Sequence, residues 1–563
     1  MTVAQNKNLV TLRYTLSQLP SSQNRAGLAG LVLKILWLQQ QPEFKSLLNV
    51  ELKVTNLDAD TVTVQFNLAG FTTLLKSHFS AAFEERERQN KRTNSKQKYR
   101  TIKRKVRDRK TNKTKLTTFY VYTDIVPQGD LVRSFEPANS QNLVWTKLWQ
   151  EVTWAVLRPR DKQRLPFQAM VKGEVPSEIE KIWNLLQDKP DSKVPLSSTY
   201  MLGAQAKNNE GVPFTDLARN RFLLNFWSYV ARIYLPLKTN AKGEPKLHGY
   251  AIAIPDVRNL ITFCQHFPSI LRQRDTKELW EKPRSAVVRN LSEVGLDSLG
   301  SVHTYISQLK AKLNIEELLF GVDVFHIVRP QDKPQSKPQT LSIQRHLPNP
   351  NAIAEFTQLQ DKLYNPLFRQ QYWQNLTRDR PRIEGFYHLL RDLPAAETLK
   401  NNWFCRDFRT VFSPHNYPME QEEIVNTTSK DITEPDKTSQ SNETKEISVE
   451  SLLLRLLKTY TRHQLEHRFK LKWNKDWDNL KPEDLKNIEA YQNYRQKRKQ
   501  IIVDLHHDFR RPRQAYEFLA YFAAKFTDVY QYITTEEYLL LAQLIQTQPE
   551  QIRILCLLAL PVL

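Results

Sequence analysis

Two patterns in this 563-residue sequence carry residue types that can do chemistry on phosphates. The first is an ordered set of imidazoles and carboxylates: His463 and His467 four apart, the doublet His507-Asp508, then Asp528. Such an order can hold divalent ions that activate water against a phosphodiester. The spacing is compressed, and His463 with His467 also fits the polar face of an amphipathic helix. A metal-dependent nuclease acting through His507 and Asp508 is therefore the alternative reading. The second pattern is the run Glu84 to Lys115, where 15 Lys/Arg meet 4 Asp/Glu and supply +11, half of the chain's net +22. A charge bias this one-sided attracts a polyanion and releases its counterions.

That basic run has only Tyr99, Ile102 and Val106 to bury, which predicts a nucleic-acid arm that orders on binding. Its candidate phosphate contacts are Lys91, Arg92, Lys96, Lys98, Arg100, Lys103 and Arg104. The amides of Gln89, Asn90, Asn94 and Gln97 lie among them and suit base edges. A second cationic loop, "LRPRDKQRLPF", offers Arg158, Arg160 and Arg164 beside Lys162. A third cluster near the C-terminus contains Arg495, Lys497, Arg498, Lys499, Arg510 and Arg511. Near the start, "LPSSQNRAGLAGLVLKILWLQ" joins a polar turn to an apolar helix pattern. Ser21 caps the helix, Arg25 suits a phosphate, and Ala26, Gly27, Ala29 and Gly30 allow another helix to approach closely.

Composition excludes other classes. Glycine numbers only 13, and no Gly-x-x-x-x-Gly-Lys or Gly-x-Gly-x-x-Gly occurs, which argues against a nucleotide-cradling loop. No nucleophile with a matching base stands out. The longest apolar run, Ala26 to Leu38, is broken by Lys34 and is shorter than the roughly 20 residues that span a bilayer. The N-terminal residues are polar and show no signal pattern. Cys264, Cys405 and Cys556 lie far apart without metal or redox spacing, which fits a reducing cytoplasm. The expectation is a cytoplasmic, non-catalytic binding protein with no cofactor, no metal and no membrane partner.

The elements that would position these residues read as α+β: a mixed N-terminal body with helices and antiparallel strands, followed by an all-α helical bundle. Alternating Val62, Val64, Phe66 and Leu68 beyond an Asp-Ala-Asp turn predict a hairpin. Leu143 to Val156 has a helical face, and "LARNRFLLNFWSYVARIYLPL" reads as one helix. "KLHGYAIAIPDV" and "GVDVFHIVRP" read as strands. The body is expected over 1–418. The stretch 419–447 is acidic, net −5, lacks aromatics and reads as a linker. Residues 448–563 form the bundle, with a capping sequence at "TTEEYLLLAQLIQT" and Pro-Glu opening "PEQIRILCLLAL".

"LPSSQNRAGLAGLVLKILWL", "LRPRDKQRLPF", "GYAIAIPDV" and "VDVFHIVRP", in that order, resemble the Myxan-type large subunit of the type I CRISPR Cascade complex. The resemblance covers most of the chain to about residue 410. It implies contact with the guide RNA's 5′ end region and with target double-stranded DNA, recognition of the protospacer-adjacent motif, and stabilisation of the R-loop. It implies partners among the other Cascade subunits: backbone subunits, the guide 5′-end subunit and the small subunit. Cleavage, or transposition in a CRISPR-associated transposon, would fall to a recruited downstream nuclease or to transposition proteins. In this picture the C-terminal cluster holds the displaced or target strand. Some systems of this type make their small subunit by internal translation, and Met419, at the head of the linker, is the internal start candidate. A generic RNA-binding scaffold is the other alternative.

Overall fold

The computed structural model describes residues 9–88, 98–107, 114–156, 164–196, 202–203, 212–239, 245–309, 313–328, 338–393, 401–412, 449–480, 482–485, 487–511 and 515–560. The chain divides into two compact units, residues 1–357 and 358–563. Both are consistent with the α+β reading: antiparallel sheets lie in the first unit, and helices make up the second.

In the first unit, β1 (Leu9–Thr15) and β2 (Leu52–Thr55) flank β3 (Thr61–Asn67) in an antiparallel sheet. The turn before β3 is fixed by Asp58, whose Oδ1 accepts from the amides of Asp60 (3.0 Å) and Thr61 (2.7 Å). Helix α1 (Ser22–Gln40) starts at Ser21, whose side chain accepts from the Asn24 amide. The helix is apolar on nearly every side because it is buried all round. A Cβ on Gly27 would sit 2.3 Å from the Leu223 carbonyl oxygen, and one on Gly30 2.1 Å from that of Phe226. The small residues thus admit a close approach as expected, but the approaching chain is the end of a short helix, Ala218–Leu223, and the turn after it, not the flank of a second long helix. Lys34 is buried in the same helix, its Nζ 4.4 Å from the Trp37 ring centroid, and burial pushes its pKa down to about 8.

Helix α2 (Leu68–His78) leads into a second sheet: β4 (Ala81–Arg88), β5 (Tyr99–Arg107) and β6 (Thr114–Pro127), with β6 in the middle. Its described strands replace the arm expected to order only on binding. The reason is period-2 alternation: "YRTIKRKVR" places a side chain on each face in turn, and β6 supplies the tyrosines, valines and isoleucine that cover them. Helix α3 (Val144–Val156) follows as expected.

The segment read as one helix from Leu217 to Leu237 is instead a short helix at Ala218–Leu223, a turn at Trp227–Tyr229, and strand β7 (Arg232–Thr239). A buried central strand is apolar on both faces, so its sequence shows no strand period to set against a helical one. β7 lies between β8 (Pro245–Leu247) and β9 (Tyr250–Val257); beyond β9 come β11 (Leu319–Val328) and β12 (Gln339–His346). β10 (Val287–Val288) runs parallel beside β7. Helices α4 (Leu260–Arg272) and α5 (Leu291–Ser307) begin at asparagine caps, Asn259 and Asn290.

The second unit starts before the expected linker. Helices α6 (Pro366–Thr377), α7 (Phe386–Asp392) and α8 (Asn402–Phe412) belong to it, and α7 packs on α13 (Pro549–Ala559) at the far end of the chain. Asp407, fully buried, ties α8 to the start of α6 by accepting from the amides of Tyr364 and Asn365. The remaining helices are α9 (Val449–His467), α10 (Glu489–Arg510), α11 (Ala515–Phe526) and α12 (Thr535–Thr547). A capping box at Thr534 and Glu537 opens α12, and Pro549 opens α13. No helix among the described residues is long and apolar enough to cross a membrane.

Candidate nucleic-acid interface

The β4–β6 sheet carries the candidates Arg100, Lys103 and Arg104, and its register sorts them onto two faces. Antiparallel partners point the same way, and Tyr99 pairs with Tyr122, Lys103 with Thr118 and Lys105 with Leu116. One face therefore holds Tyr99, Lys103 and Lys105 from β5, Tyr120 and Tyr122 from β6, and Arg86 from β4, which pairs with Tyr122. The tyrosines touch: Tyr99 lies 5.4 Å from Tyr120 and 5.6 Å from Tyr122 between ring centroids. Tyr122 is buried, Tyr120 half-buried and Tyr99 40% exposed, so the cluster is anchored at one end and open at the other.

The opposite face holds Arg100 and Arg104. Each is neutralised across β6: Arg100 Nη2 lies 2.5 Å from Glu85, and Arg104 Nη2 2.9 Å from Glu87. Lys103 and Lys105 are exposed and form no ion pair with a described residue. Charge is graded along the sheet as well. Glu84 pairs in register with Asp124 at one end, whereas Lys103 and Lys105 lie toward the other. Lys103 and Lys105 thus share a face with aromatic rings and with Arg86, which lies 4.0 Å from Glu84, whereas Arg100 and Arg104 are paired on the opposite face.

Lys98 is exposed just before β5. Asn90, Lys91, Arg92, Asn94, Lys96, Gln97, Arg158 and Arg160 lie outside the described residues, as does Met419. Arg164 is engaged within the fold: its Nη2 donates to the Trp154 carbonyl at 2.6 Å and its guanidinium lies 4.1 Å from the Trp154 ring centroid. Arg25 is half-buried, donating to Asp256 Oδ1 at 2.5 Å and to the Leu19 carbonyl at 2.8 Å. Asp256 is 2% exposed and also accepts from Arg345 at 2.5 Å, so one buried carboxylate holds two guanidinium groups.

In the second unit, Tyr494, Ile501, Leu505 and Phe509 form the buried stripe of α10. Arg495 and Lys499 are exposed on the far side of that stripe. Lys497 and Arg498 are half-buried, Arg498 in line with the stripe between Tyr494 and Ile501 and Lys497 with its Nζ 5.0 Å from the Phe469 ring centroid. Arg510 is half-buried and Arg511 exposed at the helix end. The histidine and aspartate set lies close by. His463 and His467 stack at 4.2 Å on α9, and Asp508 accepts from the Tyr521 hydroxyl (2.8 Å) and Lys525 Nζ (3.1 Å), which hold its pKa below the usual range. His507 is exposed and Asp528 lies in a turn after α11. Among the described residues no three His, Cys, Asp or Glu side chains gather as a metal site.

Arg86, Lys105, Tyr120 and Tyr122 were not among the residues nominated from sequence. Their signal was present as alternation in "YRTIKRKVR" and "TKLTTFYVYTDIVP", but the local charge density masked it.

The chain matches the Type I-B CRISPR Cas8b N-terminal domain over residues 52–312 and the Type I-B CRISPR Cas8b C-terminal domain over residues 319–562. It belongs to the Cas8b family. It is thus a large subunit of a type I CRISPR effector complex, and other Cascade components and nucleic acid are its partners by class. No curated protein gives a significant match.

Proposed function

We propose that this Cas8b subunit binds target double-stranded DNA beside the protospacer, recognises the adjacent motif, contacts the guide RNA and stabilises the R-loop. The observation that carries this reading is the sorted sheet: Lys103 and Lys105 stand on the tyrosine face, while Arg100 and Arg104 are neutralised by Glu85 and Glu87 on the other. A face with lysines beside the exposed Tyr99 ring suits a phosphate backbone and a base next to it. Exposed Arg495, Lys499 and Arg511 support a second contact with the displaced or target strand.

In this reading the subunit does no hydrolysis and recruits a separate effector, a helicase-nuclease or transposition machinery, in the cytoplasm. Engagement of Asp508 by Tyr521 and Lys525 supports a structural role for that carboxylate. A product initiated at Met419 would act as the small subunit; it would lack α7, so the side of α13 that α7 covers would meet a neighbouring subunit instead.

The test is gel-shift titration of the assembled complex, with and without this subunit, on matched duplexes whose flanking motif is randomised. Motif-selective binding that needs the subunit is expected. Equal binding whatever the flank would refute the reading in favour of a general scaffold. Metal-dependent cleavage by the subunit that disappears in His507→Ala would refute its non-catalytic part.

A further inference from the structure

Away from the β4–β6 sheet, the junction of α1, β9, β11 and β12 presents an aromatic ring to solvent among arginines. β11 pairs Leu319 with Val257 and Gly321 with Asp256, so Phe320 is an extra residue in the ladder, a β-bulge. Bulges redirect a side chain, and they recur beside functional sites. Here Phe320 is turned outward and is 46% exposed. Gly321 makes this possible: its φ is +152°, and a Cβ there would stand 2.5 Å from the His346 carbonyl oxygen. What sets this ring apart from other exposed apolar side chains is the set of guanidinium groups around it.

The surroundings identify a partner's chemistry. The Arg258 guanidinium carbon is 5.3 Å from the Phe320 ring centroid, and that of Arg25 is 6.0 Å away. Arg345 shares the buried Asp256 carboxylate with Arg25. Asp256 therefore fixes two of the three guanidinium groups in place, while exposed Arg258 is anchored by one bond to the Glu316 carbonyl and is free to swing. An aromatic face ringed by fixed and movable guanidinium groups matches a base flanked by phosphates.

We infer that Phe320 is a stacking platform for an unpaired nucleobase, with Arg258 on a neighbouring phosphate. This rests on the nucleic-acid-binding reading above and adds a second, single-strand-specific contact to it. Arg258 leaves the ring when the base arrives and takes the phosphate on its 3′ or 5′ side. The Asp256-bound Arg25 stays where it is.

The experiment uses the full chain and a 12-nucleotide single strand carrying 2-aminopurine, read by fluorescence quenching and anisotropy. Phe320→Ala should weaken binding by about 5- to 100-fold and lose the quenching, leaving the salt dependence of affinity unchanged. Phe320→Tyr should retain both signals, and Phe320→Leu, which keeps apolar bulk without a ring, should not. Arg258→Ala should lower the salt slope by about 0.7. Phe320→Ala that binds and quenches like the wild type sinks the platform while leaving the sheet's role intact. A wild-type chain that binds neither single strand nor duplex overturns both. Because the ring is exposed, melting curves of the variants should match the parent, and a large drop would instead assign Phe320 a structural role.

Discussion

The two faces of the β4–β6 sheet allow net charge to be separated from placement. Lys103→Ala/Lys105→Ala and Arg100→Ala/Arg104→Ala each remove two positive charges from the same strand, so a diffuse electrostatic attraction predicts equal losses. The structure predicts unequal ones. Each duplex phosphate that is no longer neutralised lowers the slope of log K against log[salt] by about 0.9, which is about fivefold in affinity at 0.15 M salt. Two such phosphates amount to a slope change of about 1.8 and a loss of about 30-fold, rising to about 200-fold at 0.05 M. Arg100 and Arg104 are already paired with Glu85 and Glu87 on exposed positions, where such pairs add at most about 1 kcal/mol to stability. Their removal should change the slope by less than about 0.5 and affinity by less than about fivefold.

The assay is filter binding of the complex to a matched duplex at five salt concentrations, with thermal melts to show that both double variants fold. Equal slopes for the two variants would refute the argument from faces and leave only the total charge of the segment. A larger loss in the arginine pair would mean that Glu85 and Glu87 release their partners to the nucleic acid, reversing the assignment of faces.

Three further outcomes follow from the packing. His78 is half-buried against Tyr229, and its pKa is lowered to about 3 from an ordinary 6.5 by desolvation and then by Lys34. The unfolded chain takes up a proton below pH 6.5 that the folded chain refuses until about pH 3, so stability falls as pH falls across that window; calorimetry should show the decline flattened in His78→Gln, and an unchanged pH profile would refute it. Gly30→Ala, with its Cβ 2.1 Å from a carbonyl oxygen, should destabilise by at least about 1–3 kcal/mol in urea unfolding, whereas a parental midpoint would mean that α1 can move away. Arg25→Met strips one of two guanidinium partners from the buried Asp256 and should cost about 3 kcal/mol in the absence of nucleic acid; an unshifted melting temperature would show that Arg345 alone suffices.

Much of the fold was legible because its signals are local. The Asp58 turn, the Ser21 cap, the capping box at Thr534 and the apolar stripe of α9–α13 each lie within a few residues of one another. The close approach at Gly27 and Gly30 was legible too, since four small residues in a row of apolar ones have few other uses. What was not legible depends on distant chain. β7 reads as a helix until β9 pairs with it, because burial on both faces removes the alternation that marks a strand. The helices α6–α8 read as part of the body until α7 is seen against α13.

The candidate site failed in the sequence for a related reason. A run of 15 cations among 32 residues looks uniform when counted, yet β5 divides its described members by parity, and Glu85 and Glu87 on β4 face one half of them. Neither the parity nor the neutralising partners can be inferred from charge density. Phe320 is the sharper case. Its exposure follows from a register slip between β9 and β11, strands separated by more than 60 residues, and from a glycine whose need arises only where β12 closes over it. Sequence alone presents Phe320 as one more apolar residue before a strand; only the slip turns it from core to surface, and that makes its ring available to a base.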